Sequence, residues 1–84
     1  MTKFKPFANL RSADLRSTDL RYADLSFADL RSTDLRYADL RSTDLRFADL
    51  RLAKMCFADL VKANIRYADL RDAHIREPRQ PIYC

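Results

Sequence analysis

Fourteen consecutive five-residue units run through this chain without an insertion, from Ala8-Asn9-Leu10-Arg11-Ser12 to Ala73-His74-Ile75-Arg76-Glu77, and they occupy 70 of its 84 residues. The unit reads Ala/Thr–Asp–Leu–Arg–X. A period this strict makes each unit a small structural element that buries its apolar side only by stacking on copies of itself. The centre is Leu in every unit except Met55, Ile65 and Ile75, and the residue two before it is Ala or, at 18, 33 and 43, Thr.

Neither regular element suits a period of five. On an α-helix, leucines five apart advance about 140° net per step and never form one stripe. On a straight strand, side chains alternate with period 2, so every second leucine faces the wrong side. A short in–out–in segment, Ala-Asp-Leu, followed by two corner residues satisfies both demands. Four such sides close a square coil of 20 residues, and coils stack through parallel backbone hydrogen bonds about 4.8 Å apart. The interior is filled by leucine, and the Ala or Thr position stays small where two walls meet.

The run Ala23-Asp24-Leu25-Ser26-Phe27-Ala28-Asp29-Leu30-Arg31-Ser32 resembles the pentapeptide repeat family, whose pattern is A(D/N)LXX. The resemblance covers residues 8–77. It implies an all-β fold, a right-handed quadrilateral parallel β-helix of about 3.5 coils. The glycine that the family often carries at the last position is absent here, as is any glycine.

The chain is expected to be one domain: an N-terminal cap segment over 1–7, the β-helix over 8–77, and a C-terminal tail or cap over 78–84. The end coils have neighbours on one side only and present open sheet edges. Capping, self-association or a host assembly is therefore expected. Phe4 is assigned to the first coil as a cap, and Ile82 and Tyr83 to the last.

The net charge of +4 is not a basic patch. Residues 8–77 carry thirteen Lys/Arg and twelve Asp/Glu, a balance of +1, and Lys3, Lys5 and Arg79 supply the remaining +3. A 20-residue period turns sequence into rows, so acidic rows such as Asp19/Asp39/Asp59 lie beside basic rows such as Arg11/Arg31/Arg51/Arg71. Such neighbours largely neutralise each other.

The fifth position is more telling. Phe7, Phe27, Phe47 and Tyr67 share one row, and Tyr37 and Phe57 share the opposite one. Stacked at strand spacing, these rings form a ladder, and as an exposed apolar strip they are the candidate interaction surface. One coil is irregular, at Lys54, Met55 and Cys56. Lys54 interrupts an acidic row, and Cys56 interrupts an arginine row; ordinary variation of a surface position is the expected reading of Cys56, the alternative being a reactive thiol whose pKa the flanking arginines lower.

No Gly-rich phosphate loop, zinc-type Cys/His cluster or Ser/His/Asp set is present, with a single histidine in the chain. The chain therefore reads as no enzyme, with no catalytic residue, metal or cofactor. No hydrophobic run has transmembrane length, no signal-peptide core is visible, and two cysteines are no disulfide framework. A reduced, cytoplasmic setting is expected, with no membrane partner.

The function expected is a non-enzymatic structural or protein-interaction module. Its partner is a protein, or a second copy met through the coil ends or the aromatic row. The resemblance implies an alternative, a DNA-mimic modulator of a DNA-binding enzyme such as DNA gyrase. The short, positively charged chain weighs against it, and Pro78 and Pro81 weigh against a C-terminal dimerisation helix. A third reading is weak nucleic-acid binding through the arginine rows, which the interleaved Asp rows oppose.

Overall fold

The computed structural model describes residues 5–75. They form a square coil in which residue i pairs in parallel with residue i+20, as in Asn9 with Asp29, Asp29 with Asp49, and Asp49 with Asp69. The four walls carry the rows 9/29/49/69, 14/34/54/74, 19/39/59 and 24/44/64. This is the right-handed quadrilateral β-helix that the resemblance implies.

Every backbone N–H of a central unit has a partner, and the unit Ala28–Ser32 shows how. Asp29 N donates down to Ala8 O at 2.9 Å, while Leu30 N and Ser32 N donate up to Asp49 O at 2.8 Å and Arg51 O at 3.0 Å. Ala28 N closes the preceding corner on Leu25 O at 3.1 Å. The fifth N–H, on Arg31, donates to Asp29 Oδ1 at 3.2 Å. That last bond is an Asx turn. It gives the second position of the repeat a backbone duty, because a corner N–H without an acceptor is costly.

Each corner is a four-residue turn with its third residue at positive φ, the mark of a type II turn. Glycine normally takes that place. Here fourteen non-glycine residues hold φ between 55° and 66°, among them Ser12, Tyr37, Leu52 and Asp72. None of the fourteen is β-branched. Branching at Cβ makes the left-handed region a severe outlier, so the corner selects Ser, aromatics, Leu, Lys and Asp.

Leucine centres 20 to 50 are fully buried, with Ala23, Ala28, Ala38, Ala48, Ala53 and Met55 packed among them. Each such leucine contributes roughly 2 kcal/mol of burial. Thr33 and Thr43 are buried in the same layer, and their hydroxyls donate to Leu10 O and Leu20 O of the coil below, both at 2.8 Å. A hydroxyl in the apolar interior is tolerated because it has that carbonyl. Thr18, with no coil described beneath it, reaches only Arg16 O at 3.4 Å.

Candidate interaction surface

The corner conformation that excludes β-branched residues also aims the fifth side chain outward. Phe7, Phe27, Phe47 and Tyr67 therefore line one edge of the rod. Their centroids are 4.8, 4.8 and 5.0 Å apart in sequence, with interplanar angles of 17°, 8° and 14°. The strand spacing itself sets this separation. The rings cover one another's faces and leave their edges to solvent: Phe27 and Phe47 are 47% and 49% exposed, the terminal Phe7 and Tyr67 72% and 73%. On the diagonal edge Tyr37 and Phe57 stack at 5.1 Å and 9°. All six residues expected to form aromatic rows are thus in those rows, and the row remains open to solvent after stacking.

The flanks of the long aromatic edge differ. One is the row Asn9/Asp29/Asp49/Asp69. The other is Ser26/Arg46/Arg66. Arg46 is engaged by Asp44 at 2.7 Å. Arg66 faces Asn64, which accepts the Arg66 backbone N–H at 3.1 Å, so the guanidinium beside Tyr67 has no carboxylate partner among the described residues.

Elsewhere the charges form a grid. Where an arginine stands two residues after an Asp it makes a paired contact with it, as Arg31 Nε and Nη2 do with Asp29 Oδ1 and Oδ2 at 2.9 and 2.7 Å. The same arginine approaches the Asp of the next coil more distantly, Arg31 Nε to Asp49 Oδ2 at 3.8 Å. The arginine hydrogen bond, aided by the Asx-turn N–H, lowers the carboxyl pKa values of Asp14, Asp19, Asp29 and Asp69 from 3.8 to about 2. Asp34, Asp39, Asp44 and Asp49 shift in the same direction for the same leading cause. Pairs this open to solvent contribute little each, but together they leave two coils of the rod without net charge. Shallow grooves run between an arginine row and a corner row, one lined by Arg11, Arg31, Ser32, Arg51 and Leu52.

The irregular coil is not one exposed site. Lys54 is exposed, but Met55 and Cys56 are each only 2% accessible. Cys56 is also no free thiol: it is disulfide-bonded, and the chain's other cysteine, Cys84, lies outside the described residues. Cys56 is therefore not the surface position that its place in an arginine row led one to expect. The physical reason is side-chain length. An arginine at this position reaches past its neighbours, whereas Cys56 and Ser26 are short and stay beneath them. The Cys56 sulfur rests 3.5 Å from His74 O. The cap residues Phe4, Ile82 and Tyr83 lie outside the described residues.

The backbone role of the Asp position was not anticipated. Its signal was present in Asn9 and Asn64, which replace Asp without its charge yet keep the acceptor, and both still take the N–H two residues on.

The family model of pentapeptide repeats, which spans eight copies of the unit, matches the chain twice, over residues 8–46 and 38–76. Among solved structures, a pentapeptide repeat protein from the Arabidopsis thaliana thylakoid lumen is similar, with 35% identity and a TM-score of 0.85 over 93% of this chain. A second, alr5209, a pentapeptide repeat protein from Nostoc Pcc 7120, shares 41% identity over 89% of this chain with a TM-score of 0.51. The chain spans 54% of the first protein's length and 65% of the second's. No curated protein matches it by sequence.

Proposed function

From the premise that the chain belongs to the pentapeptide repeat family, we propose that it serves as a protein-interaction module whose contact surface is the aromatic edge Phe7/Phe27/Phe47/Tyr67. Pentapeptide repeat proteins are in general non-enzymatic structural modules. The observation that carries the reading is the stacked row itself, four rings in register that remain about half open to solvent. Rigid aromatics are strong anchors at interfaces, because they offer large area for few rotatable bonds. The edge is convex, so the matching partner surface is a groove. Arg66, with no carboxylate partner among the described residues, adds a cation at one end of the strip and favours a groove with acidic character there.

The ion-pair grid weighs against the DNA-mimic alternative, since alternating Asp and Arg rows do not reproduce the continuous negative charge of a duplex. It weighs equally against nucleic-acid binding through the arginine rows. The disulfide at Cys56 favours an oxidising compartment over the reduced cytoplasm.

The test compares the protein with a Phe27→Ser/Phe47→Ser variant, after circular dichroism shows that both are folded. In native extract the unmodified protein should crosslink a defined partner through the aromatic edge, located by mass spectrometry, and the variant should lose that crosslink. Identical partner profiles for the two proteins would sink the proposal.

A further inference from the structure

We propose that the rod associates head to tail, the last described coil of one copy seating on the first coil of a second, in the register that continues the aromatic row. This rests on the ends of the rod and is separate from the partner proposed for its edge.

Two observations at the C-terminal end motivate it. Within the row Leu25/Leu45/Ile65 the first two are fully buried, yet Ile65 is 42% exposed. The unpaired backbone groups there are also a regular set. In the interior, Leu50 N donates to Asp69 O at 2.8 Å, Leu52 N to Arg71 O at 3.2 Å, and Met55 N to His74 O at 2.8 Å. One coil further on, the N–H groups of Leu70, Asp72 and Ile75 have no acceptor among the described residues.

The first coil presents the complement. Among the described residues, the carbonyls of Asn9, Arg11 and Asp14 accept no hydrogen bond, and the N–H groups of Asn9 and Asp14 have no acceptor. In the interior, the equivalents of those two N–H groups donate to Ala carbonyls of the coil below, as Asp69 N does to Ala48 O at 2.9 Å and His74 N to Ala53 O at 2.8 Å. At the C-terminal end, the carbonyls of Ala68 and Ala73 accept no bond from the described residues and can take the same ones. A second copy whose first coil takes the place of the next coil satisfies five hydrogen bonds at once. It also lays Phe7 on Tyr67 at the spacing of the existing ladder, and brings Asn9 over Arg71 where the interior has Asp69 over Arg51 at 3.8 Å. The identical spacing of donors and acceptors on the two ends is the reason that the occupant is a copy of this chain. Such a match is how open sheet edges recruit partners.

The contact is heterologous, so it does not close on itself and propagates to chains of copies rather than a two-fold dimer. A rod 23 × 21 Å in cross-section offers a small face. This falls below the roughly 800 Å² per partner of a standard interface, so the association is weak and concentration-dependent.

Sedimentation velocity of the full chain from micromolar to millimolar protein tests this. The weight-average mass should climb from the monomer's 9.9 kDa past the dimer without a plateau. Asn9→Asp, which gives Arg71 a carboxylate across the joint, should raise the association constant about threefold to tenfold, and Asn9→Lys should lower it as much. Adding Arg71→Glu to Asn9→Lys should restore association. Position 9 is exposed, so monomer melting temperatures check that folding is unaffected. A monomer at all concentrations overturns the proposal, as does a closed dimer, or association indifferent to the Asn9/Arg71 pair.

Discussion

Thr43 Oγ1 donates to Leu20 O at 2.8 Å, from one coil to the coil beneath. The residue before it, Ser42, holds φ at 58°. The order Ser-Thr is therefore directional: the branched residue takes the buried position that needs its methyl and hydroxyl, and the unbranched one takes the left-handed corner. Exchanging the two, Ser42→Thr with Thr43→Ser, is expected to cost about 2 kcal/mol, from a β-branched residue in the left-handed region and a lost buried methyl. For a domain of this size that lowers Tm by roughly 10 °C. Thermal melts followed by circular dichroism check it, and an unchanged Tm would contradict the reading.

The Asp position is argued to act on the backbone first and on charge second. Asp44 accepts the Arg46 N–H at 3.1 Å and pairs with the guanidinium at 2.7 Å. Asp44→Asn keeps the backbone acceptor and should be nearly neutral, because a partly exposed ion pair is worth little. Asp44→Ala leaves the corner N–H without its acceptor and should cost about 1 kcal/mol. Urea titration separates the two, and equal losses would assign the effect to charge.

Burial differs along one row, and so should the response to truncation. Leu45 is fully buried, whereas Ile65, one coil further, is 42% exposed. Leu45→Ala is expected to cost about 3 kcal/mol, the range for a packed core leucine. Ile65→Ala should cost about 1 kcal/mol, since much of its side chain already meets water. Measurement at low protein concentration keeps any association out of the comparison.

The carboxyls set the pH response. Asp14, Asp19, Asp29 and Asp69 titrate at about 2 in the fold against 3.8 in its absence. A lowered folded-state pKa adds stability above the unfolded value and loses it as pH falls through the folded one. Tm should thus hold above pH about 4 and decline between about 4 and 2. The decline should shrink in high salt, because these groups face solvent. A Tm that rises on acidification would contradict the assignment.

Much of the rod was legible before its coordinates. The leucine period gave the square coil, and the 20-residue stacking put Phe7, Phe27, Phe47 and Tyr67 in one row. The corner was harder to read. Positive φ is usually announced by glycine, and here its only trace is negative, the absence of Val, Ile and Thr from fourteen positions. Cys56 misled because its row is arginine, and a row predicts where a side chain starts but not how far it reaches. The charges of Asp19 and its row hid the backbone bond that Asn9 and Asn64 preserve.

The corner geometry, repeated every five residues with each N–H satisfied by its own unit or the coils next to it, gives the rod an angular address system. Inserting four units lengthens it and leaves every face where it was. Inserting one unit turns all that follows by a quarter of a revolution. A single such insertion between Phe47 and Tyr67 would carry Tyr67 to another edge of the rod, with the core rows still filled by leucine. Duplication and loss of single repeats thus rotate surfaces without disturbing the interior, a means of changing what the edges present while the fold stays the same.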